Sequence, residues 1–234
     1  MKKLFVIAVC LLFFGMGANV FATPWTEVYL YETAVNPSSS GVVHFPTLGN
    51  VNVLYGEYDL MIDREMDGTY LPISGFCVEN AYSSSSPGLV YGLYKPSDLG
   101  TNYVRAAWVL DQYLQGNVSA QAGQLAAWEV AMDGNDFDVS PNSGSLYATF
   151  TGSYVSEANT LLAGLLANGL GDFDADLLYS IALNPSNQTT PGTNAQDYVI
   201  PGGAPVPEPA TMLLLGSGLI GLAGLGRKKF LKKS

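Results

Sequence analysis

Between Trp25 and Val78 the side chains alternate with a period near two. Val51, Val53 and Tyr55 alternate with Asn52, Leu54 and Gly56, and residues two apart on a strand share one face. Tyr58–Ile62 and Tyr70–Val78 read as strands around a turn at Asp67 and Gly68, because Asp-Gly supplies the positive φ that a tight turn needs. Ser83–Gly88 is rich in Ser, Pro and Gly and reads as a loop.

The period then lengthens. Val104, Ala107, Trp108 and Asp111 fall at helical spacing, so a helix capped by Asn102 is expected to run to about Leu114. Ser119 caps a second predicted helix that ends at Gly134, and Ser156 a third that ends at Gly169. Asp176–Leu183 is a candidate last strand. The Pro-, Gly-, Asn- and Thr-rich residues 185–206 read as a linker. The pattern predicts an α+β fold, a β-rich sandwich or barrel with an inserted helical section.

The two ends are apolar. The chain opens with Lys2 and Lys3, an apolar run from Leu4 to Met16, then Val20 and Ala22 at A-x-A-like positions, which predicts a signal peptide over 1–22 cleaved after Ala22. At the other end Pro207, Glu208 and Pro209 precede an apolar stretch, 210–226, and a basic cluster of Arg227, Lys228, Lys229, Lys232 and Lys233. At ~1.5 Å per residue that stretch spans roughly 25 Å as a helix, close to the ~30 Å of a hydrocarbon core, and the cluster should stay cytoplasmic. This order of parts resembles the PEP-CTERM sorting signal over 207–234. The resemblance implies recognition by an exosortase, a transient anchor through the C-terminal helix, and release or transfer to the cell surface or the extracellular space. The exported domain is then 23–184.

Charge is segregated. The chain has 234 residues and a net charge of −10. All 20 acidic residues lie between Thr23 and Glu208, where Arg64, Lys95 and Arg105 are the basic ones. So acidic a domain repels phosphate backbones, which argues against nucleic acid as a partner.

Of the two cysteines, Cys10 falls in the signal peptide, which leaves Cys77 as an unpaired thiol in an oxidising compartment. Cys77 ends a predicted strand in GFCVEN. Gln124, Ala127, Trp128 and Ala131 share one helix face at i, i+3, i+4 and i+7. Taken singly, Cys77 reads as a small buried apolar residue and Gln124 as a helix glutamine bonded to nearby backbone. Together, Phe76-Cys77-Val78-Glu79 and Gln124-Leu125-Ala126-Ala127-Trp128 resemble the bacterial Cys–Gln thioester domain of surface adhesins. Gly123 stands where that family usually has Thr, and Ala127 where it has a bulkier aliphatic residue. The resemblance implies that Cys77 acylates itself on Gln124 and captures a surface amine, with Gln121 as the alternative acyl donor. The competing reading is a non-covalent module that binds carbohydrate or matrix polysaccharide through exposed Tyr and Trp.

Other chemistry has thinner support. His44 is the single histidine, in a strand-like VVHF run, and any Ser-His-Asp or Cys-His site would need it. Asp172, Asp174 and Asp176 begin like a calcium loop but lack its Gly and terminal Glu. Asp63, Glu65, Asp67 and Gly68 begin like one too, but Ser74 closes it wrongly. Asp133, Asn135 and Asp138 are also incomplete. Asp-rich turns account for all three clusters. The expectation is no metal, no cofactor and no enzymatic turnover.

Overall fold

The computed structural model describes residues 26–79, 89–134, 136–184 and 196–202. Its strands are β1 (Thr26–Phe45), β2 (Gly49–Asp63), β3 (Leu71–Cys77), β4 (Val90–Tyr94), β5 (Tyr147–Ala148), β6 (Tyr179–Leu183) and β7 (Tyr198–Pro201). Every pairing is antiparallel. Following the neighbours β1–β2–β3–β7–β6–β4 leads back to β1, so six strands close into a barrel. Strand β1 makes this possible by its length. Thr26–Tyr29 pair with β4, while Tyr29–Phe45 pair with β2 along the opposite edge. Closure removes the exposed strand edges that an open sheet would present. The two-residue β5 pairs with Val43 and His44 of β1.

The alternation seen in the sequence is the inside–outside pattern of this barrel, with one break. Val53 and Tyr55 are buried, and then Tyr58, Leu60 and Ile62, so the buried parity of β2 switches between 55 and 58. The switch is matched by register shifts in β1 between Glu32 and Ala34 and between Asn36 and Ser39. Extra residues in one strand bend it and re-aim its side chains. Gly56 sits at this bend, where a Cβ would lie 2.3 Å from the Pro37 carbonyl oxygen; no other residue fits.

The helices form one insertion between β4 and β6: α1 (Pro96–Leu99), α2 (Thr101–Leu114), α3 (Ala120–Trp128) continued by a π turn (Glu129–Asp133), α4 (Ser153–Asn168) and α5 (Ala175–Leu178). Helix α3 is the centre of the arrangement. It touches β1, β2 and β3 on one side and α2 and α4 on the other, and all nine of its residues are buried. A helix wrapped on every side needs small residues where neighbours come close, and AQAGQLAAW provides them.

Several sequence expectations hold. Ser119 caps α3 by accepting the Ala122 N–H, Gly134 (φ 62°) ends the π turn and Gly169 (φ 64°) follows α4. Others are corrected. Asn102 lies inside the first turn of α2, whose cap is Gly100, and its side chain accepts from Arg105 instead. Helix α4 starts at Ser153 rather than after Ser156, with Gly152 as cap. Asp176 belongs to α5, so the last predicted strand begins only at Tyr179. The segment read as linker, 185–206, contains β7, an interior strand between β3 and β6. Tyr198, Val199 and Ile200 are buried there, and the burial of these three large side chains outweighs the loop-like composition around them. The predicted signal peptide and membrane helix lie outside the described residues; among those described, no helix is long and apolar enough to cross a membrane.

Candidate functional site

Cys77 is the last residue of β3, and its position explains what it meets. Strand β3 pairs with β2 only as far as Gly75, opposite Tyr58, and with β7 through Phe76 and Cys77. The Val78 N–H donates to Asp197 O on the β7 side. The N–H and C=O of a strand residue point the same way and alternate from residue to residue, so those of Cys77 face the edge that β2 has already left. Gln124 fills that gap. Its Oε1 accepts the Cys77 N–H at 3.0 Å, and its Nε2 donates to the Cys77 carbonyl at 2.8 Å. The carboxamide replaces a missing strand at one rung, satisfying two buried backbone groups.

Both residues are fully buried. The Cys77 thiol donates to the Glu79 carbonyl oxygen at 3.2 Å. Burial pushes its pKa up to about 12; the Glu79 backbone contact and the nearby Trp128 indole oppose the shift without cancelling it. The thiol is therefore protonated at neutral pH and poorly reactive toward reagents in solution. The indole Nε1–H of Trp128, one turn beyond Gln124, is buried without a close hydrogen-bond partner, and its interaction with the Cys77 sulfur favours the ionised thiol.

The surroundings are aromatic. Cys77 and Tyr198 stand directly opposite in the ladder and share a face. The Tyr198 ring lies 5.6 Å from Tyr58 and 6.3 Å from Tyr91, and its hydroxyl donates toward Glu32. Burial raises the Glu32 carboxyl above its ordinary range. On the other face Phe76 packs against Tyr113, with ring centroids 5.2 Å apart, and against Gly123. A Cβ at Gly123 would come within 2.7 Å of the Phe76 ring. The glycine at this position, which departs from the thioester-domain pattern, thus accommodates a core phenylalanine.

The remaining candidates separate from this centre. Gln121 is buried one turn before Gln124, but the amide at the Cys77 backbone belongs to Gln124. His44 bonds Asn50 through Nδ1 at 2.8 Å and stacks on Tyr147 at 4.6 Å, near the β1–β2 turn. Asp63 accepts the Asp67 and Gly68 N–H groups, and Asp67 accepts that of Thr69. Asp174 caps α5, and Asp176 binds Ser97. Asp138 accepts from Ser140 and Asn159. These acids organise turns and helix starts, as the sequence reading expects. Asn135 lies outside the described residues.

Residues 205–228 match the PEP-CTERM protein-sorting motif. The motif implies export, membrane-anchored sorting to the surface and processing by an exosortase. No curated protein and no solved structure matches it.

Proposed function

We propose that this exported protein attaches to amine-bearing surface partners through a thioester between Cys77 Sγ and Gln124 Cδ. The observation that carries the reading is the docking of the Gln124 carboxamide on the main chain of Cys77, in a site closed to water. Two ordered partners brought together from a strand and a helix 47 residues apart have lost most of the entropy that opposes their reaction.

The bookkeeping of the step is simple. The sulfur attacks Cδ, a C–S bond forms, the C–N bond of the carboxamide breaks, and the thiol proton leaves with the nitrogen as ammonia. Charge develops on Oε1 in the tetrahedral intermediate, where the Cys77 N–H already donates. In the capture step an amine attacks the same carbon, the C–S bond breaks, and the amine proton restores the Cys77 thiol. Gln124 ends as a substituted amide, so each molecule acts once, without turnover. The apolar surroundings protect the acyl group from hydrolysis.

Intact-mass measurement tests the first step: the purified exported domain should be lighter than its sequence by one ammonia. Hydroxylamine under mild denaturation should free the thiol and leave a hydroxamate on Gln124. An unmodified Gln124 and Gln121 in peptide maps of the native protein would end the thioester reading. Incubation with a small diamine tests the second step, with Cys77→Ala as the control that should not be labelled.

The second reading, a non-covalent carbohydrate- or matrix-binding module, draws on a different part of the surface. A groove of about 420 Å³ between α2 and α4 is lined by Trp108, Gln112, Asn117, Glu157, Thr160 and Asn168. An aromatic ring among hydrogen-bonding side chains suits a sugar ring. Retention on a polysaccharide column that Trp108→Ala abolishes and Cys77→Ala preserves would favour it.

A further inference from the structure

Directly beyond Trp128 the helix widens into the π turn Glu129–Asp133. The wider turn sets Glu129 and Asp133 on one side, and the following loop brings Asp136 back toward them. One carboxylate oxygen from each of the three lies within 4.8 Å of the other two. Asp133 Oδ2 also accepts the Ser145 and Leu146 N–H groups, at 2.7 and 3.2 Å. The loop closes tightly at Gly144 (φ 52°), where a Cβ would touch Asp136 Oδ2. Arg105 binds the Gly134 carbonyl and covers the Phe137 ring at 4.9 Å.

Glu129 sets this group apart from the acidic turns elsewhere. It has no exposed surface, Oε1 accepts the Phe137 N–H at 3.2 Å, and the buried Oε2 meets no N–H or O–H donor, while the carboxyl contacts that of Asp136. A carboxylate oxygen buried without a partner costs a large part of its solvation. Here the carboxyl group lies in a cluster with two more carboxylates, an arrangement that a bound cation would satisfy. Without one, a proton must serve. Burial, then the neighbouring Asp136 and Asp133, push the Glu129 carboxyl up to about 9.

We propose that Glu129, Asp133 and Asp136 form a calcium site that ties the end of the Gln124 helix to the loop at 136–146. All donors are hard carboxylate oxygens, which select Ca²⁺ or Mg²⁺ over transition metals. Three carboxylate oxygens within 4.8 Å of one another can all reach one ion at the ~2.4 Å of calcium, and water can complete a shell of six to eight. Magnesium dehydrates reluctantly and is usually held by one or two carboxylates, which disfavours it at a site of three. With three protein ligands the affinity falls in the range of extracellular modules, a Kd of roughly 0.1–1 mM. The site does not depend on the thioester reading.

The test uses the full-length chain, stripped with chelator, and calcium chloride alone. Calorimetry should show one site. At 10 mM calcium the thermal midpoint should rise by on the order of 5 °C. Asp136→Asn, at an exposed position that should not disturb folding, should weaken binding at least tenfold, as should Glu129→Gln. Asp98→Asn, an exposed acid elsewhere, should bind like wild type. The proposal is overturned if calcium neither binds nor shifts the midpoint. It is also overturned if magnesium acts equally at the same concentration, since that is general screening of an acidic domain. Unchanged affinity in Asp136→Asn would overturn it as well.

Discussion

The ring of Phe76 occupies the space that a side chain at Gly123 would need, with its Cζ and Cε2 atoms 2.7 and 2.9 Å from the place of a Cβ. This contact sets how near α3 lies to the end of β3, and so how deeply Gln124 reaches to Cys77. Gly123→Thr should therefore destabilise the domain by ~1–3 kcal/mol through overpacking, although glycine in a helix interior ordinarily costs stability. Urea unfolding would measure it. Phe76→Leu in the same background should recover part of the loss, because the smaller side chain vacates the contact.

Gln124→Ala should be more damaging than a surface glutamine change. It strands the Cys77 N–H and C=O in a buried edge, at ~1–3 kcal/mol for each group. Cys77→Ala keeps both backbone bonds and should cost far less, leaving the fold intact while removing any thioester. Circular dichroism melts of the two variants would show the asymmetry; equal losses would mean that the amide does not act as the surrogate strand.

The native thiol should resist alkylation at neutral pH and react promptly after denaturation with hydroxylamine. Burial alone predicts slow native labelling, since a thiol with its pKa pushed up to about 12 carries almost no thiolate at neutral pH. Acylation predicts in addition that denaturation without a nucleophile leaves it unlabelled. A thiol fully labelled by denaturation alone would count against the acyl bond.

Stability should fall as pH rises. The folded-state pKa of Glu129 is raised to about 9, so between the ordinary carboxylate range and that value the folded state binds more protons than the unfolded chain. The contribution is fully present below the unfolded pKa of about 4.3 and is lost as pH climbs through the folded one. With chelator present, thermal midpoints should decline from pH 5 to pH 9, and Glu129→Gln should flatten the slope. Asp136 and Asp133 are the charged groups that bear on Glu129.

Processing at the sorting signal predicts that protein released to the surface begins at Thr23 and lacks Arg227–Ser234. N-terminal sequencing and C-terminal peptide mapping would check both ends.

What the sequence made legible followed from local periodicity. The alternation at Val51, Val53 and Tyr55 marked a half-buried strand, and Ser119 marked a helix start whose hydroxyl does accept a backbone N–H. The pairing of Cys77 with Gln124 was reachable only through a resemblance of two short motifs, because nothing in their spacing brings them together. Strand β7 was hidden for the opposite reason. Four residues among Pro, Gly, Asn and Thr carry too little periodicity to stand out, and their burial depends on neighbours far away in the chain. Glu129 was missed because on a helix it looked like one more acid; only the return of Asp136 and the unpartnered Oε2 set it apart.

The position of β7 also determines how the molecule bears a load. Gly202 follows the last strand, and the sorting motif begins at Pro205; three residues span at most about 10 Å. A pull on the C-terminal segment would therefore enter the barrel almost at once, along β7. From there it reaches β3 through the rungs Phe76–Val199 and Cys77–Tyr198. If Gln124 holds a target, the path from anchor to cargo runs through β7, the end of β3 and the amide of Gln124, so the grip and the tether share one short seam. Drag on a captured partner would be carried by that seam, and the helical insertion beyond α3 would remain unstrained.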